Sequence, residues 1–383
     1  MQVHRHNFLH ILLTGASLIL LGASAQPAFA DDLNNFTQIN LVSDIPGVAA
    51  VTDPNLANPW GVSFSPSSPF WVSDNKTGLA TLYDGSGAIQ GLVVTIPPPA
   101  GGAPPSAPTG QVFNGNPADF GGSHFIFATE DGTIAAWTSG TSAALEATTP
   151  GAVYKGLALG ASGNSTFLYA TNFNSGNVDV FNSAFAPTTV SGGFKDPNLP
   201  AGYAPFNIEN INGQLYVTYA LQDASKHDDV SGAGHGFVDI FDTNGNLLKR
   251  LVSSGALNSP WGMAVAPKGF GGFGGDLLVG NFGDGTINVF DSAGNLLATL
   301  DGPNGKPLVN EGLWDLTFGN GGKAGSASDL FFTAGIPGDG SVEDHGLFGS
   351  IVQTPEPATL TLLGSGLLAL FTAARRRRSI AIA

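Results

Sequence analysis

The sequence predicts an all-β chain folded as a six-bladed β-propeller, and three of its features carry that prediction. A glycine turn recurs at Gly78, Gly132, Gly176, Gly236, Gly285 and Gly346, spaced by roughly 45 to 60 residues, the scale of a propeller blade and too long for a solenoid. Five residues after these glycines stand Tyr83, Trp137, Phe181, Phe241, Phe290 and Ile351, followed in the first five units by Asp84, Thr138, Asn182, Asp242 and Asp291. Aromatic residues make up only 10% of the chain, so an aromatic column marks a true repeat. Finally, the segments flanking each glycine alternate apolar with small polar residues, the period of a half-buried strand.

The clearest unit is 276–296, DLLVGNFGDGTINVFDSAGNL. It reads as a strand, a Gly-Asp-Gly turn, a strand, and a second turn on Asp291, Gly294 and Asn295. Before the glycines, Trp71, Phe127, Tyr169, Tyr216, Leu278 and Phe331 form one column; Ser73, Thr129, Thr171, Thr218, Gly280 and Thr333 form another two places on. An upstream strand is read at 59–64, 153–159, 205–211, 260–265 and 313–318, and a fourth at 91–96, 247–252 and 295–300. Four antiparallel strands per unit make a propeller blade. The sixth unit lacks its fourth strand, whereas FTQINLV at 36–42 has no unit of its own. This N-terminal strand is therefore expected to join the last blade and close the ring, which removes an open edge.

Two terminal segments lie outside the repeat. Residues 1–30 carry His4, Arg5 and His6, an apolar run to Ala25, and Ala28-Phe29-Ala30, the pattern of a secretory signal peptide removed by signal peptidase. Residues 354–383 hold Pro355, Glu356 and Pro357, an apolar stretch to Ala374, then Arg375, Arg376, Arg377 and Arg378. That stretch is long enough for a transmembrane helix, with the arginines held in the cytoplasm. The arrangement resembles the PEP-CTERM sorting signal, which is read by an exosortase. The resemblance implies export from a Gram-negative bacterium, transient membrane anchorage, and delivery to the cell surface or an extracellular matrix rich in exopolysaccharide. The expected domains are thus 1–30, 31–353 and 354–383.

The chain has 14 Lys and Arg against 29 Asp and Glu, a net charge of −15. Arg5 and the four C-terminal arginines lie in the terminal segments, so the propeller itself is more acidic still. Such charge disfavours nucleic acid or an anionic lipid surface as partner and favours solubility or cation binding. With no cysteine, thiol catalysis, disulfides and thiolate-bound metals are excluded.

Long loops are expected on one face. In an antiparallel blade the second-to-third-strand turns and the blade-to-blade links share a face, and the long examples are 222–236, 335–346, 97–110 and 186–205. The first of these offers His227, Asp228, Asp229 and His235, and the second Glu343 and Asp344. Carboxylate and imidazole mixtures bind metals or move protons; the same residues also suit a solvated acidic loop. The column ending each second strand reads Asp74, Glu130, Asn172, Tyr219, Asn281 and Ala334. Its carboxylates and amides fit either Ca²⁺ or another divalent cation, which takes oxygen ligands, or the capping of strand ends by local hydrogen bonds. On the inner strands, Asn207, Glu209 and Asp315 are placed to face the channel. Trp60, Trp261 and Trp314 start matching strands and read as blade packing. No G-x-S-x-G nucleophile stretch occurs.

The Pro-Trp-Gly starts at 59–62 and 260–263 and the Asn-Phe-x-x-Gly turns at 172–176 and 281–285 resemble NHL-type six-bladed propellers, whose relatives include gluconolactonase-like and streptogramin-lyase-like enzymes as well as binding modules. The combination with the terminal signal is similar to a family of PEP-CTERM-associated propellers, to which the resemblance attaches no activity. The lactonase-like resemblance implies a divalent cation at the channel mouth, held here by Glu130, Asn172 and Asn281 with Asp74 beside them, although Tyr219 and Ala334 interrupt the ring. Two functions follow. The first is a non-catalytic binding module for glycan, protein or small ligand, acting through the loop-rich face; the alternative is a divalent-cation-dependent hydrolase or lyase of lactonase type.

Overall fold

Four repeated turns owe their shape to a side chain, and three of them also to a glycine with positive φ, Gly87, Gly245 and Gly294, whose place Phe185 takes in the fourth. Four turns joining third to fourth strands are built on one acidic or amide residue that accepts two backbone N–H groups. Asp84 accepts from Ser86 at 2.8 Å and Ala88 at 3.0 Å, and Asp291 from Ala293 at 2.9 Å and Asn295 at 2.8 Å. Asn182 and Asp242 do the same in their blades. These bonds fix the chain reversal locally; burial is the largest single effect at Asp84 and Asp242 and opposes them, but the hydrogen bonds together outweigh it and lower the pKa of Asp84, Asp242 and Asp291.

The computed structural model describes residues 34–354 apart from Gly340; the expected signal peptide, the Pro355-Glu356-Pro357 motif, the membrane helix and the arginine tail lie outside the described residues. The chain begins with β1 (Phe36–Ser43) and β2 (Val51–Thr52). Blade one follows as β3 (Pro59–Ser63), β4 (Phe70–Asp74), β5 (Leu79–Tyr83) and β6 (Val94–Thr95). Blade two is β7 (Pro108–Phe113), β8 (Phe125–Thr129), β9 (Thr133–Trp137) and β10 (Ala144–Thr148). Blade three is β11 (Tyr154–Ser162), β12 (Ser165–Asn172), β13 (Asn177–Asn182) and β14 (Pro187–Thr188). Blade four is β15 (Tyr203–Ile211), β16 (Gln214–Leu221), β17 (Phe237–Phe241) and β18 (Leu247–Ser253). Blade five is β19 (Pro260–Val265), β20 (Leu277–Asn281), β21 (Ile287–Phe290) and β22 (Leu296–Thr299). Blade six is β23 (Leu313–Phe318), β24 (Leu330–Ala334) and β25 (Leu347–Gln353), completed by β1.

The ring closes as the unpaired N-terminal strand predicts. β1 runs antiparallel to β25 from Phe36 opposite Gln353 to Ser43 opposite Leu347, with a bulge between Asn40 and Val42. β2 pairs in parallel on its outer side and covers part of that edge. Several elements differ from the pattern in the sequence. The fourth strand of blade one is only Val94–Thr95, blade three's is Pro187–Thr188, inside the stretch 186–205 expected as a link, and blade two has two strands the apolar pattern did not mark, Ala144–Thr148 and the inner strand Pro108–Phe113, which Thr109, Gly110 and Gln111 interrupt.

The hydrophobic core lies between neighbouring blades. Tyr83, Phe181, Phe241, Phe290 and Ile351 of the aromatic column are all buried. Inner strands approach so closely that a glycine sits at the contact: a β-carbon on Gly61 would lie 2.7 Å from the Thr109 carbonyl oxygen, and one on Gly262 would strike the backbone of Trp314. Gly110 and Gly156 occupy the same place in blades two and three. In blades four and six that place is taken by Asn207 and Asp315. These bridge the gap instead: Asn207 Nδ2 donates to the Trp261 carbonyl at 2.9 Å, and Asp315 Oδ2 accepts from Val62 N at 2.6 Å.

Candidate functional site

Every blade begins its inner strand and ends its second strand on the face that carries the long loops. The ladder pairs there are Pro59 with Asp74, Pro108 with Thr129, Tyr154 with Asn172, Pro205 with Tyr219, Pro260 with Asn281 and Leu313 with Ala334. The column of strand ends therefore contains Thr129, not Glu130. The second turn of blade two is one residue shorter than its counterparts: Gly132 N bonds to Thr129 O, whereas Gly78 reaches back to Asp74 and Gly176 to Asn172. Aligning on the glycine shifts that blade by one.

One residue of shift reverses the direction of a strand side chain, and the strand-end column points away from the axis. Asp74 is buried beside Thr81, Tyr83 and Asp53, and burial raises its pKa well above that of a free carboxylate. Asn172 accepts from Ser175 N at 3.2 Å and donates to Asp179 Oδ2 at 2.9 Å; Asn281 accepts from Asn258 N at 3.0 Å and donates to the Ala256 carbonyl at 2.8 Å. The two amides form the local caps that Asn commonly makes, whereas both Asp74 carboxylate oxygens are buried with no hydrogen-bond partner among the described residues.

The next column, Asn75, Glu130, Phe173, Ala220, Phe282 and Gly335, is the one that lines the mouth, together with the inner-strand column Trp60, Thr109, Lys155, Phe206, Trp261 and Trp314. Trp60 stacks on Trp314 with ring centroids 3.4 Å apart, Trp261 meets both edge-on at 6.0 and 5.8 Å, and Phe282 stacks on Trp314 at 4.1 Å. All three tryptophans are 1% exposed. They form a closed aromatic floor, as their reading as packing residues required.

Lys155 stands on this floor. Its ammonium lies 5.0 Å from the centre of the Trp60 ring and 5.9 Å from that of Phe173, a cation–π arrangement. It bonds to Glu130 Oε1 and, at 3.5 Å, to Asp228 Oδ1. Burial works against its charge, but Glu130 and then Asp228 outweigh burial and raise its pKa. The second Glu130 oxygen accepts from Asn75 Nδ2 at 2.9 Å; Asn75 Oδ1 accepts from Asn58 Nδ2 at 3.3 Å. Asn58 Nδ2 also donates to Glu343 Oε1 at 3.1 Å, and Asn58 Oδ1 accepts the Trp314 indole N–H at 3.1 Å. Asn58 and Glu343 both have left-handed backbones, with φ of 49° and 74°, a cost that surrounding contacts must sustain.

The long loops complete the site. His227 Nδ1 lies 2.8 Å from Asp228 Oδ1, and ligand atoms of Glu130, His227 and Asp228 all fall within 4.8 Å of one another. Glu343 is pushed up to about 7, first by burial and then by the charge of Glu130. Asp229 accepts from Ser231 Oγ at 3.1 Å, and burial raises its pKa. His235 Nδ1 contacts the Val230 carbonyl at 2.8 Å within its own loop, and Asp344 pairs with Lys76 at 3.2 Å across to blade one. Sequence reasoning missed Lys155, Asn58 and Asn75. The available signal was a lysine standing in an inner-strand column of aromatics.

Asn207 and Asp315, expected to face the channel, act as the bridges between inner strands described above. Glu209 lines a cavity of about 230 Å³ with Asp315, Met263 and Thr317. Burial and then the neighbouring Asp315 raise the Glu209 pKa, and burial pushes Asp315 up to about 7. Burial likewise pushes Asp239 up to about 7. Acids whose folded pKa is raised hold their proton more tightly when folded, so their contribution is complete near pH 4 and is lost as pH rises through about 7. Asp84, Asp242 and Asp291 have the opposite sign and lose their contribution in acid. The urea midpoint is therefore expected to fall between pH 5 and 8, and Glu343→Gln to flatten that slope. A midpoint that rises across the window would contradict the burial of Asp239, Asp315 and Glu343.

The fold and mouth together define a six-bladed β-propeller with a polar network from several blades over an aromatic floor. Residues 353–378 match the PEP-CTERM protein-sorting motif, which marks the chain for export, exosortase processing and sorting to the cell surface. Over 332 residues the chain is 32% identical to uncharacterized protein R648 of Acanthamoeba polyphaga mimivirus, covering 82% of this chain and 79% of that protein. Uncharacterized protein L690 of the same virus is 32% identical over 334 residues, covering 82% and 84%. The chain belongs to the family these proteins form. A solved structure of a Bacteroides thetaiotaomicron protein of unknown function shares the fold at a TM-score of 0.53 and 12% identity, over 83% of this chain and 76% of that one.

The residues at the mouth do not fit the cation ring that a lactonase-like resemblance implies. Asn172 and Asn281 are committed to hydrogen bonds of their own blades, Asp74 lies buried beside Tyr83 and Asp53 with its pKa raised by burial, and both carboxylates of the Glu130, His227 and Asp228 group already bond to the Lys155 ammonium.

Proposed function

We propose that the protein is an exported, non-catalytic binding module of the cell surface or extracellular matrix, engaging a glycan or protein through its loop-rich face. The observation that carries this reading is the division of the mouth into a sealed floor and an open rim. The tryptophans and Lys155 are buried below, whereas Asp228 and His227 are 65% and 46% exposed above them. On loops of the same face Val230, Val309 and Val342 are 40%, 56% and 38% exposed. Apolar spots among charged loops suit a macromolecular surface. In this reading signal peptidase removes residues 1–30, the 31–353 propeller is the mature body, and exosortase acts at Pro355-Glu356-Pro357 after the 354–383 segment has served as a transient membrane anchor.

The alternative, a divalent-cation-dependent hydrolase or lyase, needs its cation where Lys155 already sits. The two readings separate on binding and turnover. The purified protein is expected to bind exopolysaccharide or a surface protein of the producing cell saturably, with affinity reduced about tenfold in the His227→Ala, Asp228→Ala double variant, a change of about 1.4 kcal/mol. Lactone or ester turnover abolished by a chelator and by Glu130→Ala would overturn the binding-module reading.

A further inference from the structure

We infer that Lys155 is the resident cation of the propeller mouth, standing in for a divalent ion and making this chain metal-independent. Lys155 belongs to blade three, yet its ammonium bonds to Glu130 of blade two and Asp228 of blade four, and it lies over Trp60 of blade one. Glu343 of blade six adds to the field that holds its charge. A side chain that contacts three other blades of a ring and feels the charge of a fourth is near the axis, the place where a mouth cation would gather its ligands. Its 2% exposure removes water as a partner, so the carboxylates must satisfy it.

The carboxylates cannot serve two cations. Ca²⁺ needs oxygen ligands at about 2.3–2.6 Å, and an ammonium in contact with both Glu130 and Asp228 occupies that space and repels a second positive charge at short range. Removing the ammonium alone leaves Glu130, His227 and Asp228 with ligand atoms within 4.8 Å of each other, a set of two carboxylates and an imidazole that accepts a divalent ion. Lys155 is thus the residue that switches a cation site into an internal ion pair.

The test uses the purified full chain stripped with chelator, with metal content and calorimetric titration of Ca²⁺, Mn²⁺ and Zn²⁺ as readouts. The wild type is expected to hold no stoichiometric ion and to melt at the same temperature with or without chelator. Lys155→Met is expected to bind one Mn²⁺ or Zn²⁺ at least about 100-fold more tightly than the wild type, and to lose that binding when Glu130→Gln is added. Lys155→Gln, which keeps a hydrogen bond to Glu130, makes the same comparison if the methionine variant does not fold. One equivalent of metal in the wild type, dependent on Glu130, overturns the assignment, as does a folded Lys155 variant that binds no ion better than the wild type. The inference deepens the binding-module reading. Its failure is distinguishable, because polymer binding and metal content are measured separately.

Discussion

A chain lacking residues 34–43 is expected to lose its cooperative unfolding transition and to aggregate at concentrations where the intact protein is monodisperse. β1 supplies the whole fourth strand of blade six, and without it the edge of β25 is open to pairing with other chains. The strand also carries core residues: Phe36 and Val42 are 0% exposed, and Phe36 stacks on Phe270 at 4.7 Å, from the blade-five loop. Its amide bonds to the Asp301 carbonyl at 2.9 Å, so the strand ties blade five to blade six as well as filling the latter. Phe36→Ala alone should cost about 3–5 kcal/mol by creating a cavity, a large part of the 5–15 kcal/mol that holds a typical domain folded. Urea unfolding followed by near-ultraviolet circular dichroism checks both variants. An unchanged midpoint in the deletion would show that the ring closes by another route.

Glu130→Ala is expected to destabilise the protein by about 3–5 kcal/mol, because it leaves a buried ammonium without its closest counter-charge. Asp228 remains, but it is 65% exposed and its bond to Lys155 is 3.5 Å long, so it compensates little. Lys155→Met in the same background should restore most of the loss, since an apolar side chain of similar length packs on Trp60 and Phe173 without a charge to satisfy. The coupling from the double-mutant cycle then measures the buried pair directly. A single-variant cost below about 1 kcal/mol, the scale of an exposed pair, would mean that Lys155 swings to solvent and that the mouth is not sealed.

The difference between Glu130 as expected and Glu130 as found shows where pattern reading stops. Its identity as a mouth residue was legible, but for a reason that did not survive. Grouped with Asp74, Asn172 and Asn281, it belonged to a set of cation ligands; the short turn at Gly132 moves it one residue further, onto the side of the strand that faces the axis. The same shift explains why Asn75 went unnoticed beside Asp74. Lys155 was visible only as a departure from the aromatics at Trp60, Trp261 and Trp314, and its role depends on partners 25 and 73 residues away in sequence.

What the sequence determined by itself is what short-range chemistry decides. Glycine turns, aspartate-capped reversals, alternating strands and an orphan first strand specify six blades and the way they close, because each depends on residues within one unit or on a count of units. Tertiary structure alone decided which column faces the channel and which charges meet there. Side-chain direction in a strand reverses with a single residue of register, and the mouth is assembled from inner strands and loops of different blades, whose convergence no local period encodes.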